Sequence, residues 1–291
     1  MPGFRNYNDY SMKMRLLHHI FCLTLLWTLV MSCDRGVAPK SRLDRLMEND
    51  SIPATVKQLV RSVADGDSIQ FARLVSYPLK RPYPLHDIEN ADQMAHYYRE
   101  MVDDSLRNAI LESSPEDWGE YGWRGWSVRD GGYVWIDSIV YQVPYISQTE
   151  RHHLDELRKR EIASLAKTLQ GDWNPIATLV DPQGKVLRID ARHVPDLSEP
   201  GSIRLLVYDS VSNLAGKPAR ELQGVLDTEG SSPSDTYLFD DVSGVSYMID
   251  TDPADDDTPH LITETPDGIT KTVPLRVAYW LDLINKKQPK K

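Results

Sequence analysis

His152 and His153, followed by Asp155 and Glu156, are residue types that ligate metals. On a helix adjacent residues point about 100° apart, so the two imidazoles do not converge, and a solvated polar face is expected. A denser acidic patch, "DTDPADDD", holds Asp250, Asp252, Asp255, Asp256 and Asp257. Hard oxygen donors on a flexible loop suit calcium. The EF-hand register fails, because Ala254 takes the place of the third ligand and no bidentate glutamate follows at the required offset. Asp250, Asp252 and Asp255 stand as weak metal candidates against a solvated loop between strands, and no cofactor is implied. The stretch "WGEYGWRGWSVRDGGYVWID", Trp118 to Asp137, gathers four of the seven tryptophans. Trp123, Trp126, Tyr133 and Trp135 could stack on sugars or other ring-bearing ligands. The competing reading is a folded hairpin, because aromatics favour strands and tryptophan is mostly buried. Tyr121 and Trp123 fall in one strand phase and Trp126 in the other. Either a bulge at Gly125 shifts the register or a ring is left outside. There is no G-x-S-x-G, phosphate loop or HExxH, so no catalytic residue is assigned.

The N-terminus carries a different chemistry. Lys13 and Arg15 precede a continuous apolar run, Ile20 to Val30, too short to span a bilayer but fit for the core of a secretory signal. "VMSC", Val30 to Cys33, follows, and then the polar "DRGVAPKSR". This resembles the lipobox of bacterial lipoproteins, with an apolar residue three before the cysteine and a small one just before it. The resemblance implies a signal peptide over residues 1–32, cleavage before Cys33, and acylation of Cys33 on sulfur and amine. Met12 or Met14 serves as well as Met1 for the start of such a signal. The only other cysteine, Cys22, would leave with the signal, so no internal disulfide could form. Each buried acyl methylene contributes about 0.8 kcal/mol to anchoring. The expected location is the bacterial cell envelope, with the membrane as a partner through the lipid.

The formal net charge is −10, and it becomes more negative once Arg5, Lys13 and Arg15 are removed against Asp9. That balance excludes the basic face that nucleic acid binding needs. "KKQPKK", residues 286–291, reads as a basic, solvated tail.

Residues 33–52, polar and broken by prolines, read as a tether, with a short helix near Leu43 to Met47. Val56, Leu59, Val60 and Val63 have helical spacing, and a second short helix follows up to Pro78. "KRPYPLHDI" is an extended loop. Asn90 caps one or two helices with a break near Asp103. Asp130-Gly131-Gly132 marks a turn, and the strand after it runs on to Val143. Ser147 and Glu150 form a capping box for a helix from Gln148 to Gln170. From Trp173 the chain turns to β, with a hairpin around Asp181–Gly184 and further strands at about ten-residue spacing, which predicts an antiparallel sheet, sandwich or barrel.

"FARLVSYPL", "IENADQMAHYYREMVDDSLRNAI" and "WRGWSVRDGGYVWID" are similar to segments of uncharacterised exported proteins with an NTF2-like, cystatin-type α+β fold. The resemblance covers roughly residues 54–147. It implies helices across a curved antiparallel sheet with a cone-shaped cavity between them. In enzymes of that fold an Asp/His pair sits in the cavity, and His86-Asp87 and Asp103-Asp104 are the nearest counterparts. The expected fold class is α+β: an NTF2-like domain over 53–171 and an antiparallel β-rich domain over 172–285. The expected function is a lipid-anchored envelope module that binds a ligand or a protein without catalysis. An NTF2-like acid–base enzyme and an inhibitor or immunity-type lipoprotein are the alternatives.

Overall fold

The computed structural model describes residues 40–227, 236–251 and 258–285; Cys33, Asp252, Asp255 and the basic tail lie outside them. The chain packs onto the core from Ser41 onward. Ser41 caps helix α1 (Arg42–Glu48), and Leu46 and Ile52 are buried, so the docked chain begins earlier than residue 53. Helix α2 (Ala54–Asp65) buries Val56, Leu59, Val60 and Val63, the stripe its spacing predicts, and Gly66 ends it in the left-handed region. Asp67 caps α3 (Ser68–Arg73), Asn90 caps α4 (Ala91–Met101) and Asp103 caps α5 (Asp104–Leu111) through their side-chain oxygens. The loop between α3 and α4 is closed by two hydrogen bonds, Leu79 N to Ile88 O and Ile88 N to Leu79 O. That closure holds Tyr83, His86 and Asp87 in place.

A small antiparallel sheet follows: β1 (Trp118–Glu120), β2 (Trp126–Val128), β3 (Trp135–Ile136) and β4 (Val140–Gln142), in that order. The strand expected from Tyr133 to Val143 is broken, because Asp137 N bonds Ile139 O and turns the chain between β3 and β4. Trp118, Val128, Val134, Ile136 and Val140 share one buried cluster with α2, α4 and α5. Side chains therefore fill the space between this sheet and its helices.

Helix α6 (Gln148–Ser164) opens with the expected capping box but stops six residues before Gln170. Leu165 turns extended so that it and Leu169 reach the second sheet, and the Gln170 side-chain amide donates to the freed carbonyls of Ala163 and Leu165. The second sheet is an up-and-down meander: β5 (Trp173–Val180), β6 (Val186–Arg192), β7 (Ile203–Tyr208), β8 (Arg220–Asp227), β9 (Thr236–Asp240), β10 (Ser246–Asp250), β11 (His260–Glu264) and β12 (Thr270–Pro274). Only Leu275 separates β12 from β13 (Arg276–Val277), and β13 pairs back onto β5. The sheet is thus a nearly closed barrel. Its interior holds Leu179, Leu187, Ile189, Leu205, Phe239, Ile249 and Leu275. Gly224 in β8 is required, since a Cβ would lie 2.2 Å from Leu238 O on the neighbouring strand. The outer face of β5–β7 is covered by the end of α6 and by α7 (Trp280–Asn285), with Leu206, Tyr208 and Trp280 buried between them. The molecule is α+β, with helices and a small sheet in its first half and the barrel in its second.

Candidate functional site

The structure distributes the aromatic window rather than gathering it. Trp118 is buried and donates from Nε1 to Ser113 Oγ at 2.9 Å. Trp126 and Tyr133 pack half-buried on the core, Tyr133 stacked on Tyr145 at 5.3 Å. Trp135 takes Tyr121 edge-on at 5.1 Å. Trp123 is 86% exposed. The phase conflict is resolved by a single 3₁₀ turn, Gly122–Arg124, inserted between β1 and β2. Gly125 closes it at φ 71°, where a Cβ would meet Ile136 O at 2.6 Å, so only glycine fits. The turn presents Trp123 outward with the Arg124 guanidinium over its ring at 5.1 Å. Trp123, Trp126, Tyr133 and Trp135 therefore do not form one stacking platform.

A groove of about 730 Å³ lies elsewhere. The closed loop supplies Leu85, His86, Asp87 and Ile88, one face of α4 supplies Asp92, Gln93, His96, Tyr97 and Glu100, and α6 supplies His153 and Leu157. The α4 and α6 residues recur at spacings of three and four, which puts each set on one helix face. The walls are mainly apolar, with carboxylates and imidazoles at the rim. His86 stacks on Tyr279 at 3.8 Å and points Nε2 at Asp282, 3.5 Å away. Asp87 accepts from Lys80 Nζ and Arg81 N, each at 3.0 Å. His96 Nδ1 lies 2.7 Å from the Asp92 carbonyl of its own helix. Each member of the His86-Asp87 pair thus has another partner. Burial, reinforced by the Glu150 carboxylate, pushes the Tyr97 hydroxyl above its usual range. Under the groove Arg81 and Glu150 form a buried ion pair at 2.7 Å, and Arg81 also donates to the carbonyls of Val143 and Tyr145. This pair ties the loop to the start of α6.

Of the other carboxylate candidates, Asp104 stands in the first turn of α5 and Asp103 serves architecture. Asp103 caps α5 and accepts from Tyr145 Oη and Gln148 N. Burial would raise its pKa, but these donors outweigh it and hold the carboxyl below its usual range.

A second charged constellation joins the two halves. Glu161 of α6 accepts from Arg188 at 2.9 Å and from Tyr83 Oη at 2.9 Å. Arg188 also bonds Asp190 at 2.8 Å, and Asp190 accepts from Arg204 at 2.7 Å. Tyr83 reaches Thr178 Oγ1 of β5 at 2.8 Å, and Arg188 lies over Trp280. Burial pushes the Glu161 carboxyl up to about 7, against the pull of Arg188 and Tyr83. Arg188, Asp190 and Arg204 occupy alternate outward positions of paired strands, the sequence pattern of a solvent face, yet all are buried. His96 and Tyr97 carried only a faint signal, a stripe beside the buried Met94, Tyr98 and Met101 of α4.

Among the described residues no group of three His, Cys, Asp or Glu side chains is placed to hold a metal. Asp250 ends β10 opposite His260, and Asp252 and Asp255 lie outside the described residues. His152 Nε2 pairs with Glu156 one turn on, while His153 faces the groove. No described helix is long and apolar enough to cross a membrane. No family model matches the chain, and no curated protein or solved structure matches it.

Proposed function

We propose that this chain is a bacterial envelope lipoprotein, held to a membrane through Cys33, whose folded part is a binding module rather than a catalyst. The "VMSC" stretch behind an apolar run and a positive flank supports the anchor. The groove of His86, Tyr97 and Leu157 supports the binding role. It is concave and mainly apolar, and His86, Asp87 and His96 are engaged by other partners rather than aimed at one another. Helices packed against an antiparallel sheet in the first half support an α+β frame, although side chains fill the space where the NTF2-like resemblance implies a cavity. The acidic rim, Asp92 and Glu100, suits an apolar ligand or partner segment bearing positive charge.

The test has two arms. In detergent phase separation the wild-type chain expressed in a bacterium enters the detergent phase, and Cys33→Ala stays in the aqueous phase. Wild-type protein in the aqueous phase sinks the anchor. In the second arm phenethylamine, an apolar cation, raises the wild-type unfolding midpoint and leaves that of Leu157→Arg unmoved. Equal shifts remove the groove from the reading. Trp123 with Arg124 favours one variant of this function, the obstruction of another protein, because exposed Trp and Arg anchor protein interfaces. A stoichiometric partner lost on Trp123→Ala identifies it.

A further inference from the structure

The barrel carries an open strand edge. β12 pairs with β11 alone, because β5 meets the chain only at Arg276 and Val277 and turns away at Asp181. The ladder between β11 and β12 has one parity. Thr265 N bonds Ile269 O at one end and Leu275 N bonds Pro259 O at the other. Ile269, Lys271, Val273 and Leu275 therefore turn their peptide groups toward β11. Thr270 and Thr272 turn their N–H and C=O groups the other way, and so does the Pro274 carbonyl. That row faces no described strand.

Open edges are usually blunted by a bulge, a charge, a proline or a covering element. β12 keeps its register with β11 from Thr270 to Pro274 without a bulge. Thr270, Lys271, Thr272 and Pro274 are exposed. Pro274 stands at the end of the strand, where it lacks a donor but keeps its carbonyl. Lys271 is the one charge on the strand. Its peptide group faces β11, so a strand added on the open side meets Lys271 at a non-hydrogen-bonded position, where cross-strand side chains come closest.

We propose that the open edge of β12 takes up an extended segment of a partner protein as an added antiparallel strand, with an acidic residue opposite Lys271. The backbone row supplies the hydrogen bonds, and Lys271 supplies the choice of sequence. A second copy of β12 fits less well. Pairing about Thr272 would set the two lysines diagonally on one face, about 7–8 Å apart. It would also oppose each Thr270 carbonyl with a proline that has no N–H to give. An acidic foreign strand has neither defect. The edge shares no residue with the groove assigned above, so each stands or falls separately.

The experiment measures binding of dye-labelled Thr-Val-Thr-Glu-Thr amide to the full chain by fluorescence anisotropy, and amide hydrogen exchange with and without the peptide. In the antiparallel register its Val lies opposite Val273 and its Glu opposite Lys271. Saturable binding is expected, with slowed exchange at Thr270 and Thr272 and no change at Lys271 and Val273, which the ladder already protects. Replacing the peptide's Glu by Lys weakens binding by about three- to tenfold, and Lys271→Glu reverses the order of the two peptides. Thr272→Pro, which removes a donor from the open side only, weakens binding by about tenfold or more. An unchanged unfolding midpoint shows that each variant is folded, and if Thr272→Pro is not, the Lys271→Glu reversal decides. No saturable binding, binding without slowed exchange at Thr270 and Thr272, or equal binding of the Glu and Lys peptides overturns the proposal. A concentration-dependent dimer of the wild-type chain alone, with the same two amides slowed, assigns the edge to a second copy and overturns the foreign partner.

Discussion

Trp118 and Trp123 stand five residues apart in one aromatic window and do opposite things. Trp118 fills the core and its indole N–H is satisfied by Ser113, itself buried and bonded to Ile110 O. Trp123 sits on a glycine-closed turn in water. Trp118→Ala is expected to cost about 3–5 kcal/mol, the range for emptying a buried aromatic site. Trp123→Ala should stay within about 0.5 kcal/mol of wild type, as exposed substitutions do. Urea denaturation of the two variants measures both. A large loss from Trp123→Ala would mean that the turn is a packing element and not a presented surface. The window's composition was legible in the sequence, and so was its conflict of phase. Which ring stood outside was not, because that depends on Gly125 closing against Ile136 and Asp137, residues of the adjoining strand and its following turn.

At the scale of elements, α6 carries most of the charge chemistry. In the sequence it is a helix with a capping box whose His152 and His153 are expected on a solvated polar face. Instead it lies between the halves, with Glu150 paired to Arg81 at its first turn and Glu161 paired to Arg188 near its end. His153 and Leu157 face the groove, and Arg158 and Lys159 lie on another face, toward the start of the barrel. Glu161 makes the stability pH-dependent. Its folded pKa, about 7, is raised above the usual 4.5, so between these values the folded chain holds a proton that the unfolded chain has released. The contribution is therefore full below about pH 4.5 and is lost as pH rises through 7. Between pH 5 and pH 8 the urea midpoint should fall further in wild type than in Glu161→Gln, which cannot titrate there. Parallel profiles would show that Arg188 keeps Glu161 ionised throughout.

The whole molecule depends on how the barrel ends. β12 pairs with β11 along its length, and just past Leu275 the two residues of β13 pair with Val180 and Leu179 of β5, so the barrel is joined at its seam by a short ladder. Leu275 sits at the switch between the two pairings, 3% exposed, and its N–H bonds Pro259 O. Leu275→Ala should cost about 2–5 kcal/mol, as deletions of buried leucine side chains do. Val277→Ala, at a 42% exposed position two residues on, should change stability by less than about 0.5 kcal/mol. Equal losses in chemical denaturation would contradict a seam held by Leu275.

Local physics in the sequence determined the caps at Asn90 and Ser147, the helical stripe of α2, and the turns at Gly184, Gly244 and Gly268, where φ is positive. It also determined the run of strands after Trp173. Each rests on neighbouring residues and on a repeat of two or 3.6. Tertiary structure decided the rest. Only folding brings Tyr83 within hydrogen-bond reach of Thr178, Glu161 onto Arg188, and His86 onto Tyr279, pairs separated by tens to nearly two hundred residues. No periodicity encodes such contacts. The groove forms within the first half, between α4, α6 and the loop before α4, whereas the buried set of Tyr83, Glu161 and Arg188 exists because the two halves pack against each other along α6.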